Sequence, residues 1–100
     1  MYARMNTATV KPGQMDEFIA IFEESQRVAH DHTDARQGHH GTYLLVDRER
    51  NKVISIGLFE TEEEMHASMQ SSWNQALTQR ASATMVEPPQ REFFEVVVQS

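Results

Sequence analysis

The densest chemistry in the chain sits in HDHTDARQGHH, residues 30–40, where four of the five histidines and two aspartates fall within eleven positions. Imidazole and carboxylate both ligate metals, so the spacing has to be tested against a metal site. Ligands on one helix face lie three or four residues apart, but His30 and His32 are two apart and point to nearly opposite sides. His39 and His40 are adjacent, and adjacent strand side chains face opposite ways. Neither H-x-x-x-H nor H-E-x-x-H occurs. A site combining one His from each pair with Asp31 or Asp34 stays open geometrically, yet the spacing lends it no support and no metal is expected. The end of a helix gives the same residues a different use. Positive charge on His30, His32 and Arg36 complements the carboxyl end of the helix dipole, and Gly38 suits a left-handed cap.

Two isolated polar residues carry more. Asn6 stands in a run that otherwise reads as a strand, where asparagine is disfavoured. Its amide serves either as a donor and acceptor aimed into a pocket or as an edge group satisfied by water. His66 lies one step off an apolar helical stripe. Imidazole titrates near neutrality, which suits a general base, while Glu62 four residues earlier suits a solvated surface pair. The apolar candidates for a pocket wall are Phe22, Phe59, Met69 and Trp73. Each reads as core, or as a surface on which a flat ligand stacks, with methionine adding an adaptable shape.

The elements that must position these groups follow from periodicity. Tyr2 to Val10 alternates as a strand and stops at Lys11-Pro12-Gly13. Met15, Phe18, Ile19, Phe22, Gln26 and Ala29 recur at steps of three and four, a helix with one apolar face that exits across Asp34 to Gly38. Thr42–Asp47 and Val53–Glu60 are a strand pair joined by a short charged connection. Thr61 and Glu64 form a capping box opening a second helix, whose buried stripe is Met65, Met69, Trp73, Ala76 and Leu77. Pro88-Pro89 breaks the chain before a last strand over Glu92 to Gln99. The order βαββαβ with right-handed crossovers predicts an α+β, ferredoxin-like sandwich: a four-stranded antiparallel sheet with both helices on one face.

The other face of that sheet has no helix to cover it. On the third strand Ile54, Ile56 and Leu58 share one face, and Val53, Ser55, Gly57 and Phe59 the other. On the last strand Phe94, Val96 and Val98 oppose Phe93, Glu95, Val97 and Gln99. Large apolar residues on both faces predict that a second copy covers the open one, a homodimer packed sheet to sheet.

Composition removes whole classes of function. One hundred residues suit a single domain spanning 1–100. A net charge of −6 argues against nucleic acid, whose phosphates require a surplus of Lys and Arg. The absence of cysteine excludes disulfides and thiol catalysis and fits a reducing compartment. With neither a signal-peptide pattern nor an apolar run near the ~20 residues of a membrane span, a cytoplasmic location and no membrane partner are expected.

The segments VKPGQMDEFIAIF, GTYLLVDRE and ISIGLFETEEEM resemble the antibiotic biosynthesis monooxygenase-like family, the dimeric α+β barrels. There a V-K-P-G turn precedes the first helix, a G-x-x-L-L-x-D hairpin follows it, and an acidic box opens the second. That family includes cofactor-free oxygenases of polycyclic phenols, haem-degrading enzymes and members without an assigned role. Oxygenases of its polyketide branch carry Asn, Trp and Tyr at positions matched here by Ser55, Phe59 and Met65. Haem-degrading members carry a first-strand Asn, matched by Asn6, and a Trp and a His ligand at positions matched near Ser68 and Thr78. The resemblance implies a monooxygenase-like protein that uses no cofactor and takes a small aromatic or polyketide-type molecule between sheet and helices. Asn6 would be the donor and His66 the base. The alternatives are a non-catalytic, ligand-binding or stress-associated homodimer and, behind it, a haem-degrading enzyme.

Overall fold

In the computed structural model, which describes residues 1–31, 39–67 and 75–100, the sheet is built first from the centre. Strand β1 (Tyr2–Thr9) pairs antiparallel with β3 (Lys52–Phe59) on one side and with β4 (Gln90–Glu95) on the other. Strand β2 (His39–Asp47) completes the order β2-β3-β1-β4, with every pair antiparallel. Helix α1 (Met15–Asp31) and the helical segments α2 (Glu62–Ala67) and α3 (Gln75–Ala83) cover one face. The molecule is the expected ferredoxin-like α+β sandwich.

Each element has a local cause. Helix α1 starts on the Lys11–Gly13 turn, where Gln14 N donates to Lys11 O at 3.1 Å, and Asp16 and Glu17 place carboxylates in its first turn. Its buried face runs through Met15, Phe18 and Ile21, so the stripe passes through Ile21, which the periodic reading omitted, and Ile19 packs at its margin. The capping box is half formed: Glu64 N donates to Thr61 Oγ1 at 3.1 Å, whereas Glu64 Oε2 is buried without a hydrogen-bond partner. Met65, one residue on, is among the most deeply buried side chains. Strand β2 begins earlier than Thr42. A register shift between His39 and Gly41 admits the extra residues, with Gly41 at φ +134°, a backbone angle that glycine adopts without a Cβ penalty.

Strand β4 departs from the predicted Glu92–Gln99. It spans Gln90–Glu95, and Arg91 stands opposite Asn6. Beyond Glu95 the ladder contributes one further bond, Val96 N to Met1 O at 2.9 Å, and Val97 and Val98 lie 79% and 83% exposed. Valine propensity alone does not make a strand where β1 offers no further backbone to pair with.

The hairpin between β2 and β3 is clamped by one carboxylate. Asp47 Oδ1 accepts from the backbone N–H of Glu49 and Arg50 at 3.1 and 3.3 Å, and Oδ2 accepts from Arg50 Nε at 2.7 Å. The Arg50 side-chain bond, followed by its backbone N–H, holds the Asp47 pKa below the ordinary carboxylate value. A carboxyl with a depressed folded-state pKa contributes stability that is complete above its unfolded pKa and is lost as pH falls through the folded one. Asp47→Asn is therefore expected to melt below the parent protein at about pH 7, with the gap closing as the pH is taken to about 3. A gap that holds constant in thermal melts across that range would remove the ionised clamp from the account.

Candidate functional site

Alternation on the strands decides what faces the helices. Arg4, Asn6 and Ala8 of β1, Val53, Ser55 and Gly57 of β3, and Arg91 of β4 all line a cavity of about 540 Å³ beneath α1 and α3. That volume is within the usual range of small-molecule sites. Its upper wall mixes apolar side chains, Phe18, Ile21 and Phe22 of α1 and Leu77 of α3, with polar ones, Ser25 and Gln26 of α1 and Thr78, Gln79 and Ser82 of α3, and the rings of Phe18 and Phe22 stack at 6.4 Å.

The floor is polar and ordered by hydrogen bonds. Arg91 Nε donates to Asn6 Oδ1 at 3.1 Å, and Asn6 Nδ2 donates to Ser55 Oγ at 3.4 Å. Guanidinium has no acceptor, so this bond fixes which end of the Asn6 amide is oxygen. The cross-strand pairings Asn6↔Ser55 and Asn6↔Arg91 bring the three residues side by side.

Arg4 lies on the same face, its guanidinium carbon 5.3 Å from the centroid of the Phe59 ring. Gly57, the register partner of Arg4, makes room for this. A Cβ there would stand 3.2 Å from the Phe59 ring and 3.7 Å from an Arg4 nitrogen. Burial, and after it the charge of Arg91, lowers the Arg4 pKa to about 10. The group therefore stays protonated at neutral pH, a cation held in poorly solvated surroundings beside a second cation.

Among the residues singled out by sequence, Asn6 and Phe22 line this cavity. Phe59 is 2% exposed and lies beneath Arg4 as support, outside the described lining. His66 is also outside that lining: its ring packs 5.0 Å from the Phe93 ring, and its Nε2 stands 3.6 Å from Glu62 Oε1, as the surface-pair reading expected. Met69 and Trp73 fall outside the described residues, as does the stretch 32–38 that holds His32 and Asp34. No group of three or more His, Asp or Glu side chains capable of holding a metal forms among the described residues. Sequence reasoning missed Arg4 and Arg91. Arg4 carried a usable signal, since it is two residues from Asn6 on one strand and must share its face. Arg91 carried none while the last strand was taken to start at Glu92.

A four-stranded antiparallel sheet roofed by helices on one face, with a cavity between them, defines a ferredoxin-like α+β class. The sequence matches the antibiotic biosynthesis monooxygenase family over residues 1–80, and the chain belongs to that family. Among solved structures it is similar to a candidate antibiotic biosynthesis monooxygenase from Bordetella bronchiseptica, at 21% identity, covering 97% of each chain, with a TM-score of 0.78. A candidate monooxygenase from Caulobacter crescentus has 16% identity, a TM-score of 0.82, and coverage of 97% of this chain and 90% of that one. SnoaB, a cofactor-independent oxygenase from Streptomyces nogalater, has 15% identity, a TM-score of 0.79, and coverage of 98% and 94%. At these identities the likeness establishes the fold. No curated protein matches the chain. No described helix is long and apolar enough to cross a membrane.

Proposed function

We propose that the chain is a cofactor-independent monooxygenase-like protein that binds a small aromatic or polyketide-type molecule in the cavity, with Asn6 as the donor to a substrate oxygen. The observation that carries this reading is the Ser55–Asn6–Arg91 hydrogen-bonded row on the floor of a cavity walled in part by Phe18, Ile21, Phe22 and Leu77. Family membership and the fold shared with SnoaB, itself a cofactor-independent oxygenase, support it. An anthrone illustrates the chemistry. Its ring carbon loses a proton to water, and the charge spreads onto the ring oxygen, where N–H donors stabilise it. The carbanion then transfers its electrons to dioxygen and forms a carbon–oxygen bond. Loss of one water from the resulting peroxide leaves the quinone, so one dioxygen enters and one oxygen atom leaves as water.

Asn6→Ala is expected to lower kcat for an anthrone by roughly 10²-fold, the loss that follows removal of one oxyanion donor. Oxygen uptake measures it directly, and an Asn6→Ala protein with unchanged uptake ends the role assigned to Asn6. A second reading has its own support: the described lining residues include no histidine and no carboxylate to act as base. On that reading the protein is a non-catalytic ligand-binding dimer, and uptake stays at background with every substrate. His66, on α2 against Phe93, is part of neither reading.

We also propose a homodimer joined through the open sheet faces. Tyr43 and Leu45 are 58% and 49% exposed there, Phe94 is 46% exposed, and Met5, Ile54, Ile56 and Leu58 extend the same apolar surface. A contiguous face of this kind is what a second copy would bury.

A further inference from the structure

Helix α3 stands between the cavity and solvent. Leu77, Thr78, Ala81 and Ser82 line the cavity from this helix, and Thr78 and Ser82 are also exposed, so the cavity reaches the surface along α3. Among the described residues α3 packs against α1 and makes no comparable contact with any strand, because the cavity separates it from the sheet. Its grip on α1 is slight. Leu77 is the one buried residue among its described positions, and Ala81 is half-buried against the core. An ion pair, Arg80 Nη1 to Glu24 Oε2 at 3.0 Å, crosses the seam between the two helices. The C-terminal end, by contrast, is fastened. Thr84 is 2% exposed, its Oγ1 donates to Ala81 O at 2.6 Å, and its carbonyl accepts from Lys11 N at 2.7 Å. Two residues on, Val86 N donates to Thr9 O at 2.9 Å, which ties the chain to the end of β1. A helix held firmly at one end, with few buried apolar contacts along its length, is the kind of segment that opens at low cost.

We propose that α3 is the gate of the cavity, swinging from α1 about its anchored end at Thr84, with the Glu24–Arg80 ion pair as the latch across the seam. This goes beyond the monooxygenase reading and is independent of it, since it concerns access to the cavity and not what is transformed there. Position supports the latch. Glu24 adjoins Ser25, and Arg80 adjoins Gln79 and Ala81; all three neighbours line the cavity, so parting the pair widens the cavity at that seam. Its chemistry suits a latch that releases. The Arg80 and Glu24 side chains are 55% and 38% exposed, so salt screens their attraction and sets how tightly the gate is held.

The chain contains no cysteine, so Ser55→Cys places a single thiol on the cavity floor. Its rate of reaction with 4,4′-dithiodipyridine, an uncharged reagent, measures access without any ligand. Ser100→Cys, at the exposed C-terminus, reports the reagent's own reactivity under the same conditions. In the Ser55→Cys protein, adding Arg80→Gln is expected to speed labelling roughly two- to fivefold, the range that one exposed ion pair supports. Glu24→Gln should do the same, and the two together should add nothing further, since either one releases the latch. Raising salt to about 0.5 M should speed labelling of the latched protein and leave the unlatched variants unchanged, each relative to Ser100→Cys. Circular dichroism checks that every variant is folded. Labelling indifferent to both Arg80→Gln and Glu24→Gln, accelerations that multiply in the double variant, or a salt effect that persists without the latch overturns the proposal. So does a Ser55→Cys protein that labels as fast as Ser100→Cys with the latch intact, because the floor is then open without a gate.

Discussion

Phe59→Ala is expected to destabilise the protein by about 3–5 kcal/mol, the range for removing a buried phenylalanine side chain without refilling the space. For a chain of this length that corresponds to a fall of roughly 15 °C or more in melting temperature. Phe59 sits at the end of β3 with 2% of its surface exposed, and its ring is the shelf under the Arg4 guanidinium. Truncation removes apolar contacts, leaves a void in the helix-covered side of the sheet, and takes away the aromatic face that helps a poorly solvated cation stay folded inward. Phe59→Leu, which restores much of the apolar volume but lacks the ring, should recover a large part of the stability and little of the Arg4 placement. Calorimetry measures the first effect, and the position of the Arg4 side chain in a structure of the variant the second. A Phe59→Ala protein that melts with the parent, but binds ligand differently, would place the ring on the cavity surface as a wall and not beneath it.

That distinction explains how far residue patterns reach. The alternation of β3 fixed which residues share a face, so Val53, Ser55, Gly57 and Phe59 could be grouped before any coordinates. Alternation does not say how deep each one lies. Ser55 lines the cavity and Phe59 underlies Arg4 because Gly57 leaves a gap between them, which only the packing reveals. The Thr61–Glu64 cap was legible because it is local, three residues apart and independent of the rest of the chain. Strand β4 was misplaced because its limits come from its partner. Phe93-Phe94 and the three valines all read as strand, but the pairing with β1 sets the span to Gln90–Glu95 and thereby brings Arg91 to Asn6. The candidate site shares that dependence. Asn6 could be singled out as an anomaly of propensity, whereas its partners on β3 and β4 are separated from it by 49 and 85 positions in the chain.

Ile56→Glu is expected to leave the fold intact and convert the proposed dimer to monomer. Ile56 lies at the centre of the open face, opposite Met5 on one neighbouring strand and Tyr43 on the other, and it is only half-buried in the single chain. In a monomer the new carboxylate reaches water, so its cost to folding is small. In a sheet-to-sheet dimer it loses that water, and desolvating an unpaired carboxylate costs several kcal/mol. The symmetry of such a dimer doubles the effect, because each substitution enters the interface twice. Two unfavourable terms of about 2–3 kcal/mol weaken association by roughly 10³–10⁴-fold, enough to abolish a micromolar or tighter complex at ordinary working concentrations. Analytical ultracentrifugation of the parent and variant reads the result, with circular dichroism confirming that both are folded. Glu92→Gln, on the same face but already polar, should leave the mass unchanged. A parent protein that sediments as a monomer, or an Ile56→Glu protein that stays dimeric, would move the interface away from this face. Tyr43, Leu45 and Phe94 would then be surface in need of another occupant.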